Sequence, residues 1–189
     1  MLLLLLPLAL LAFLPPAAAQ PAGPRPPSAS QTELDRAFAA LRDAPDEEGA
    51  LLVERRILQL FSARATPAVA LLLARGQRNL AAGQPEDALE DFDAAITLAP
   101  NLPEAWLGRA LAHHAAGQLA AALADLQHVL RLEPRHWIAL DHLSRWQAEA
   151  GNHLAALRSF EAVLAIHPKL RGGQQRLQDL RRRALGEDA

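Results

Sequence analysis

Apolar residues fall at helical spacing along most of this chain, and from Pro67 onward the pattern repeats itself. Ala88-Leu89 with Phe92 returns as Ala122-Leu123 with Leu126, and again as Ala156-Leu157 with Phe160, at one constant spacing. Ala95-Ile96, Val129-Leu130 and Val163-Leu164 follow in step. Gly83, Gly117 and Gly151 keep the same spacing, and so do Pro100, Pro134 and Pro168. The pattern predicts helix pairs near 68–82 and 86–99, 103–116 and 120–132, and 137–150 and 154–166. Each Gly would take the left-handed turn between two helices, and each Pro would end a pair. Thr66-Pro67 predicts a capped start with Pro in the first turn. A last helix is expected from about Lys169 to Leu185, with Leu170, Leu177 and Leu180 on one side. Gly172-Gly173 is expected to weaken its first turn by about 1 kcal/mol per Gly relative to Ala.

A 34-residue period carrying A-x-x-x-F and a terminal Pro resembles the tetratricopeptide repeat (TPR) family. The resemblance implies an all-α helix-turn-helix solenoid with repeats at 66–100, 101–134 and 135–168, and residues 169–189 as a polar C-terminal capping helix and tail. Upstream, Ser30-x-x-Glu33 reads as a capping box opening a helix through Leu34, Phe38 and Leu41, stopped between Asp43 and Asp46. A second helix is expected from Glu47 to Ala63, with Leu51, Ile57, Leu58 and Phe61 on its stripe. Gly49 precedes Gly83 by one full period, which places 31–65 in register as a degenerate repeat. Glu54 stands where the later repeats have Ala88, Ala122 and Ala156. The expectation is an atypical hairpin capping the first repeat.

The first nineteen residues read differently. Leu2 to Leu14 is apolar except for Pro7, and Ala17-Ala18-Ala19 follows as a small-residue cleavage site. This is the pattern of a signal peptide cut between Ala19 and Gln20, although no Lys or Arg precedes the apolar run. The expected location is the periplasm. Residues 20–30, with Pro21, Pro24, Pro26 and Pro27, read as a disordered spacer.

Composition narrows the chemistry. The chain has 189 residues and a net charge of −2, so it lacks the basic footprint of a nucleic-acid binder. It has no Cys, which removes disulfides, thiol catalysis, cysteine metal sites and a lipid-modified cysteine. There is no G-x-S-x-G elbow, no phosphate-binding Gly loop and no H-E-x-x-H. His113 and His114 are adjacent and so face different directions on a helix, unlike a chelating pair. Carboxylates such as Glu90, Asp91 and Asp93 read as a solvated face. No catalytic residue, metal or cofactor is expected, and the chain is read as a non-enzyme.

One internal comparison points to structural ion pairs. Arg75 and Asp91 are 16 apart, as are Arg109 and Asp125, whereas the third repeat has Leu143 and Ser159 there. Charges present together and absent together are expected to meet across the two helices of a repeat.

The resemblance further implies that the first helices line a concave groove that binds a peptide or helix. The groove residues it assigns are Leu73, Gln77 and Leu80, then Glu104, Leu107, Leu111 and His114, then Ile138, Asp141, His142 and Arg145. Lys169 is the only lysine, so the Lys-and-Asn carboxylate clamp of chaperone-binding members is missing. The expected function is an exported adaptor for a cell-envelope protein. The alternative is a permanent structural subunit associating through its caps or convex face. The basic last helix, Lys169 to Arg183, offers a lesser route to an anionic membrane or acidic partner.

Overall fold

The computed structural model describes residues 29–186, so the expected signal peptide and nearly all of the spacer lie outside the described residues. Within them the chain forms α1 (Ala29–Arg42), α2 (Glu47–Ser62), α3 (Pro67–Ala81), α4 (Pro85–Leu98), α5 (Pro103–Ala115), α6 (Leu119–Leu132), α7 (Trp137–Glu149), α8 (His153–Ile166) and α9 (Gly173–Leu185). There is no strand among the described residues. The fold is all-α, and α3–α8 are the three expected helix pairs. Gly83, Gly117 and Gly151 turn them at φ of 72°, 74° and 76°. Three first turns carry Pro where its missing N–H costs nothing: Pro67, Pro85 and Pro103.

Two ends differ from the sequence reading. α1 is already helical at Ala29, so Ser30 lies in its first turn instead of capping it, and Glu33 pairs with Arg56 of α2. α9 starts at Gly173, later than the expected Lys169, after a turn in which Gly172 is left-handed at φ 69°. The glycine pair does not weaken a turn already formed. A side chain at Gly173 would place its Cβ 2.7 Å from Leu164 Cδ2, so glycine lets α9 approach α8.

Inside the stack, one ring sets the sizes of its neighbours. Phe92 of α4 lies against Gly76 of its own repeat and Gly108 of the next. A Cβ at Gly108 would fall 2.3 Å from the ring, and one at Gly76 would fall 2.8 Å from it. In the second repeat the smaller Leu126 coexists with Ala110. In the third, Phe160 returns with Ser144 and Arg176 at the two glycine positions, the guanidinium carbon lying 4.2 Å from the ring centroid. Gly108→Ala should therefore destabilise despite its better helix propensity, by a net of about 1–2 kcal/mol. Adding Phe92→Leu should recover most of that loss. Urea midpoints of the two single variants and the double variant check this, and an unchanged Gly108→Ala midpoint would refute it.

The hairpin α1–α2 does not cap the first repeat. It crosses the edge of the stack where the inter-repeat turns lie. Following α2 from its start, Glu47 pairs with Arg171 at 3.4 Å and Glu54 faces His167 at 3.4 Å. Phe61 then stacks on His136, with centroids 5.0 Å apart and planes 5° apart. From α1, Phe38 meets the Trp137 ring edge-on at 6.0 Å, and Asp35 pairs with Arg135 at 2.8 Å. One hydrophobic core thus joins Leu34, Phe38, Leu41, Ile57 and Phe61 to Trp137, Phe160, Val163, Leu177 and Leu180. The physical reason is aromatic. Trp137 stands where the other repeats have Val69 and Pro103, and its ring needs cover that the inner stack does not provide.

Candidate functional site

The first helices α3, α5 and α7, followed by α9, lie side by side and form the inner face of the stack. His114 on α5 reaches Glu149 on α7 at 3.3 Å, and Arg176 on α9 reaches Ser144 on α7 at 3.3 Å. The second helices are fastened to this row by a polar ladder with the same period as the sequence repeat. Arg75 Nε donates to Asp91 Oδ1 at 2.5 Å, and Asn79 Nδ2 donates to its other oxygen at 3.0 Å. Arg109 grips Asp125 through two bonds of 2.8 Å and also reaches Asp93 at 2.6 Å, tying the first repeat to the second. These bonds hold Arg109 well above the ordinary arginine pKa, the largest cause being the Asp125 hydrogen bond. In the third repeat Ser159 Oγ lies 2.7 Å from Gln147 Oε1.

Both expected Arg–Asp contacts are thus present. Asp91 is buried, however, and Asp93 is engaged by Arg109, so these carboxylates are not simply a solvated face. Arg109 is also a bond between repeats, which a comparison within one repeat does not reveal. His113 fills the space between α5 and α6, with Nδ1 2.6 Å from Gln118 Oε1.

The structure sorts the expected groove residues into three groups. Leu73 and Leu80 in the first repeat and Leu107 and Leu111 in the second rest half-buried on the core, while Gln77 is exposed. These remain accessible on the inner face. His114 and His142 flank the buried Trp146: His114 stacks on it with centroids 4.3 Å apart, and His142 lies tilted at 5.6 Å. Burial, the largest cause, lowers the pKa of His142.

The other four residues depart from a simple groove contact. Glu104 turns inward, and both its carboxylate oxygens are shielded without a hydrogen-bond partner among the described residues. Burial raises its pKa, partly offset by its own backbone N–H and by Arg64, with Glu133 adding to the rise. Asp141 is already paired with Arg145 at 2.9 Å and with Arg176. Ile138 packs against the core shared with the hairpin. Ile138, Asp141 and Arg145 line a cleft of about 180 Å³ beside α9, with Gly172, Gly173 and Leu170 on its far wall. The capping helix thus flanks the third repeat's share of the groove and engages Asp141, while Arg145 stays exposed.

Most charges on the basic end are also spoken for. Arg171 pairs with Glu47, Arg176 with Asp141, Arg181 with Glu161, and Arg182 with Asp179. No group of three or more His, Asp or Glu side chains is placed to hold a metal among the described residues.

The aromatic and histidine cluster beneath the hairpin escaped the sequence reading. Phe61 and Trp137 have no aromatic counterparts at the repeat spacing, and that was the available signal.

Comparisons with known proteins agree with this geometry. Residues 79–144 match the tetratricopeptide repeat family. A TPR repeat-containing protein of Rhizobium etli is 27% identical over 159 residues, which span 84% of this chain and 78% of the relative. Human superkiller complex protein 3 is 30% identical over 90 residues, a stretch spanning 43% of this chain and only 6% of the relative. The crystal structure of MamA superposes with a TM-score of 0.51 at 21% identity, over 84% of this chain and 92% of that one. The first TPR of Spaghetti (RPAP3), solved bound to an HSP90 peptide, gives 0.57 at 18% identity, over 63% and 94%. With the repeat period of its sequence carried into the packing of its helices, the chain has the helical-repeat fold of tetratricopeptide-repeat structures, and residues 79–144 match that family.

Proposed function

We propose that this protein is an exported adaptor whose inner face binds a peptide or helix of a cell-envelope protein. The observation that carries the reading is the row of half-buried leucines, Leu73, Leu80, Leu107 and Leu111, left partly open on successive first helices beside exposed Gln77. Apolar side chains in a row tend to mark a contact surface. The fold supports recognition of a protein, since relatives of this architecture were solved with peptides of HSP90 and Hsp70 bound. The envelope location rests on the Leu2–Leu14 run and the Ala17–Ala19 site.

The test places a photo-crosslinking residue in the full chain, expressed in its host. One position is Gln77 on the inner face; the others are Arg131 and Arg158, exposed on α6 and α8. The expected result is one protein captured from Gln77 alone, with the recovered chain in the envelope fraction and starting at Gln20. Capture only from Arg131 and Arg158 would favour a permanent subunit held by its outer face. Retention of the whole chain in the cytoplasm would refute export.

A further inference from the structure

With α1–α2 on the edge, no described residue stacks on the start of the solenoid as a preceding repeat. In the second repeat Ala105, Gly108 and Ala112 of α5 are buried under α4: Ala105 clusters with Ala95, and Ala112 with Ala88 and Phe92. In the third repeat Ala139 and Trp146 of α7 are buried with Ala122 and Leu126 of α6. The matching positions on α3 are Leu71, Ala74 and Arg78. Leu71 is 66% exposed where Ala105 and Ala139 are 0% exposed. The Arg78 side chain is exposed and makes no ion pair among the described residues. Among the described residues this face lacks the packed preceding helix that α5 and α7 each have.

The chain carries a segment made to that pattern. Ala88 shares a cluster with Ala112, and Ala122 with Trp146, the two pairs having the same separation in sequence. That separation, counted back from Arg78, leads to Glu54. The first hairpin departs from the small-residue rule at Glu54, and α3 departs from the apolar rule at Arg78. Those two departures are opposite in charge and would face each other. The connectors agree as well: Ala63–Thr66 before α3 is the same length as Ala99–Leu102 and Glu133–His136. Gly49 completes the register, one full period before Gly83.

We propose that the α1–α2 hairpin has a second seat, stacked on the open face of α3 as a preceding repeat with Glu54 paired to Arg78. Exchange swings the hairpin about Ala63–Thr66. It breaks the contacts of Glu54 with His167, Asp35 with Arg135 and Phe61 with His136. It covers Leu71 and exposes Trp137, so the start of the stack and its edge are masked alternately.

Because the chain has no native Cys, the test is direct. Spin labels at Leu52→Cys on α2 and Leu98→Cys on α4 occupy exposed sites, and their separation differs between the two seats. We expect two distance peaks in the full chain. Arg78→Glu should abolish the stacked peak, and Glu54→Arg/Arg78→Glu should restore it. In parallel, Glu54→Cys/Arg78→Cys should form an intrachain disulfide under mild oxidation. A single peak unmoved by Arg78→Glu would overturn the proposal. So would a disulfide found only between chains, which would give the open face to a second copy.

Discussion

Phe61→Ala should cost about 3–5 kcal/mol, the range for emptying a fully buried aromatic site. Phe61 is 1% exposed and contacts three rings: Phe38 at 6.2 Å, His136 at 5.0 Å and Trp137 at 6.4 Å. It belongs both to the hairpin's own core and to its seat on the edge of the stack. The loss should therefore be uneven. Amide exchange and limited proteolysis at Asp43–Asp46 should rise sharply, while α4 to α6, which contribute none of the described residues of the hairpin core, keep most of their protection. Leu52→Ala is the control, because Leu52 is largely exposed and its truncation should change stability by less than about 0.5 kcal/mol. If both variants unfold at the same denaturant concentration, the hairpin is not held by this cluster.

The second large effect is a loss of stability in acid, centred on His136. Burial, the largest cause, lowers this pKa to about 4, with the local backbone and Glu133 acting in the opposite direction and His142 adding to the lowering. The ring explains why a proton is unwelcome. Nδ1 accepts from the Ala139 amide at 3.2 Å and caps α7, so the neutral ring carries its proton on Nε2, which is buried without a partner among the described residues. A second proton would have to enter at Nδ1, displacing the cap, and would place a charge against Phe61. The ionisable groups around this cluster are Glu133 held by Arg135, His142, and His167 facing Glu54.

The sign follows from linkage. Between pH 6.5 and about 4 the unfolded chain takes up a proton at this position while the folded chain does not, so stability falls as pH falls. The loss from this group is on the order of 3 kcal/mol by pH 4, and the slope flattens below it. His136→Asn keeps a capping acceptor without a titrating ring. Urea unfolding of both forms between pH 7 and 4 should show the steep fall only in the parent chain. Equal slopes would remove His136 as the cause.

Most of the architecture was legible without coordinates. A periodic recurrence of Gly, Ala and Pro determines where helices turn, touch and stop, because each requirement is local or lies between neighbours in the sequence. Arg75–Asp91 and Arg109–Asp125 were legible for the same reason: both partners vary together within one repeat. The inner face was legible in part. Leu73, Leu80, Leu107 and Leu111 follow from the family resemblance, whereas the inward turn of Glu104 and the pairing of Asp141 with Arg176 of α9 depend on neighbours the pattern does not name. The hairpin's position was beyond the pattern altogether. Register, connector length and Gly49 all place α1–α2 before α3, yet here Phe61 and Phe38 lie against Trp137, two whole repeats further along the chain. Periodicity records which residues are apolar and how often. It does not record which of two apolar surfaces they cover, since burial rewards area removed from water without regard to sequence distance. That choice belongs to the tertiary structure, where a Trp in place of Val69 and Pro103 offers the larger surface to bury.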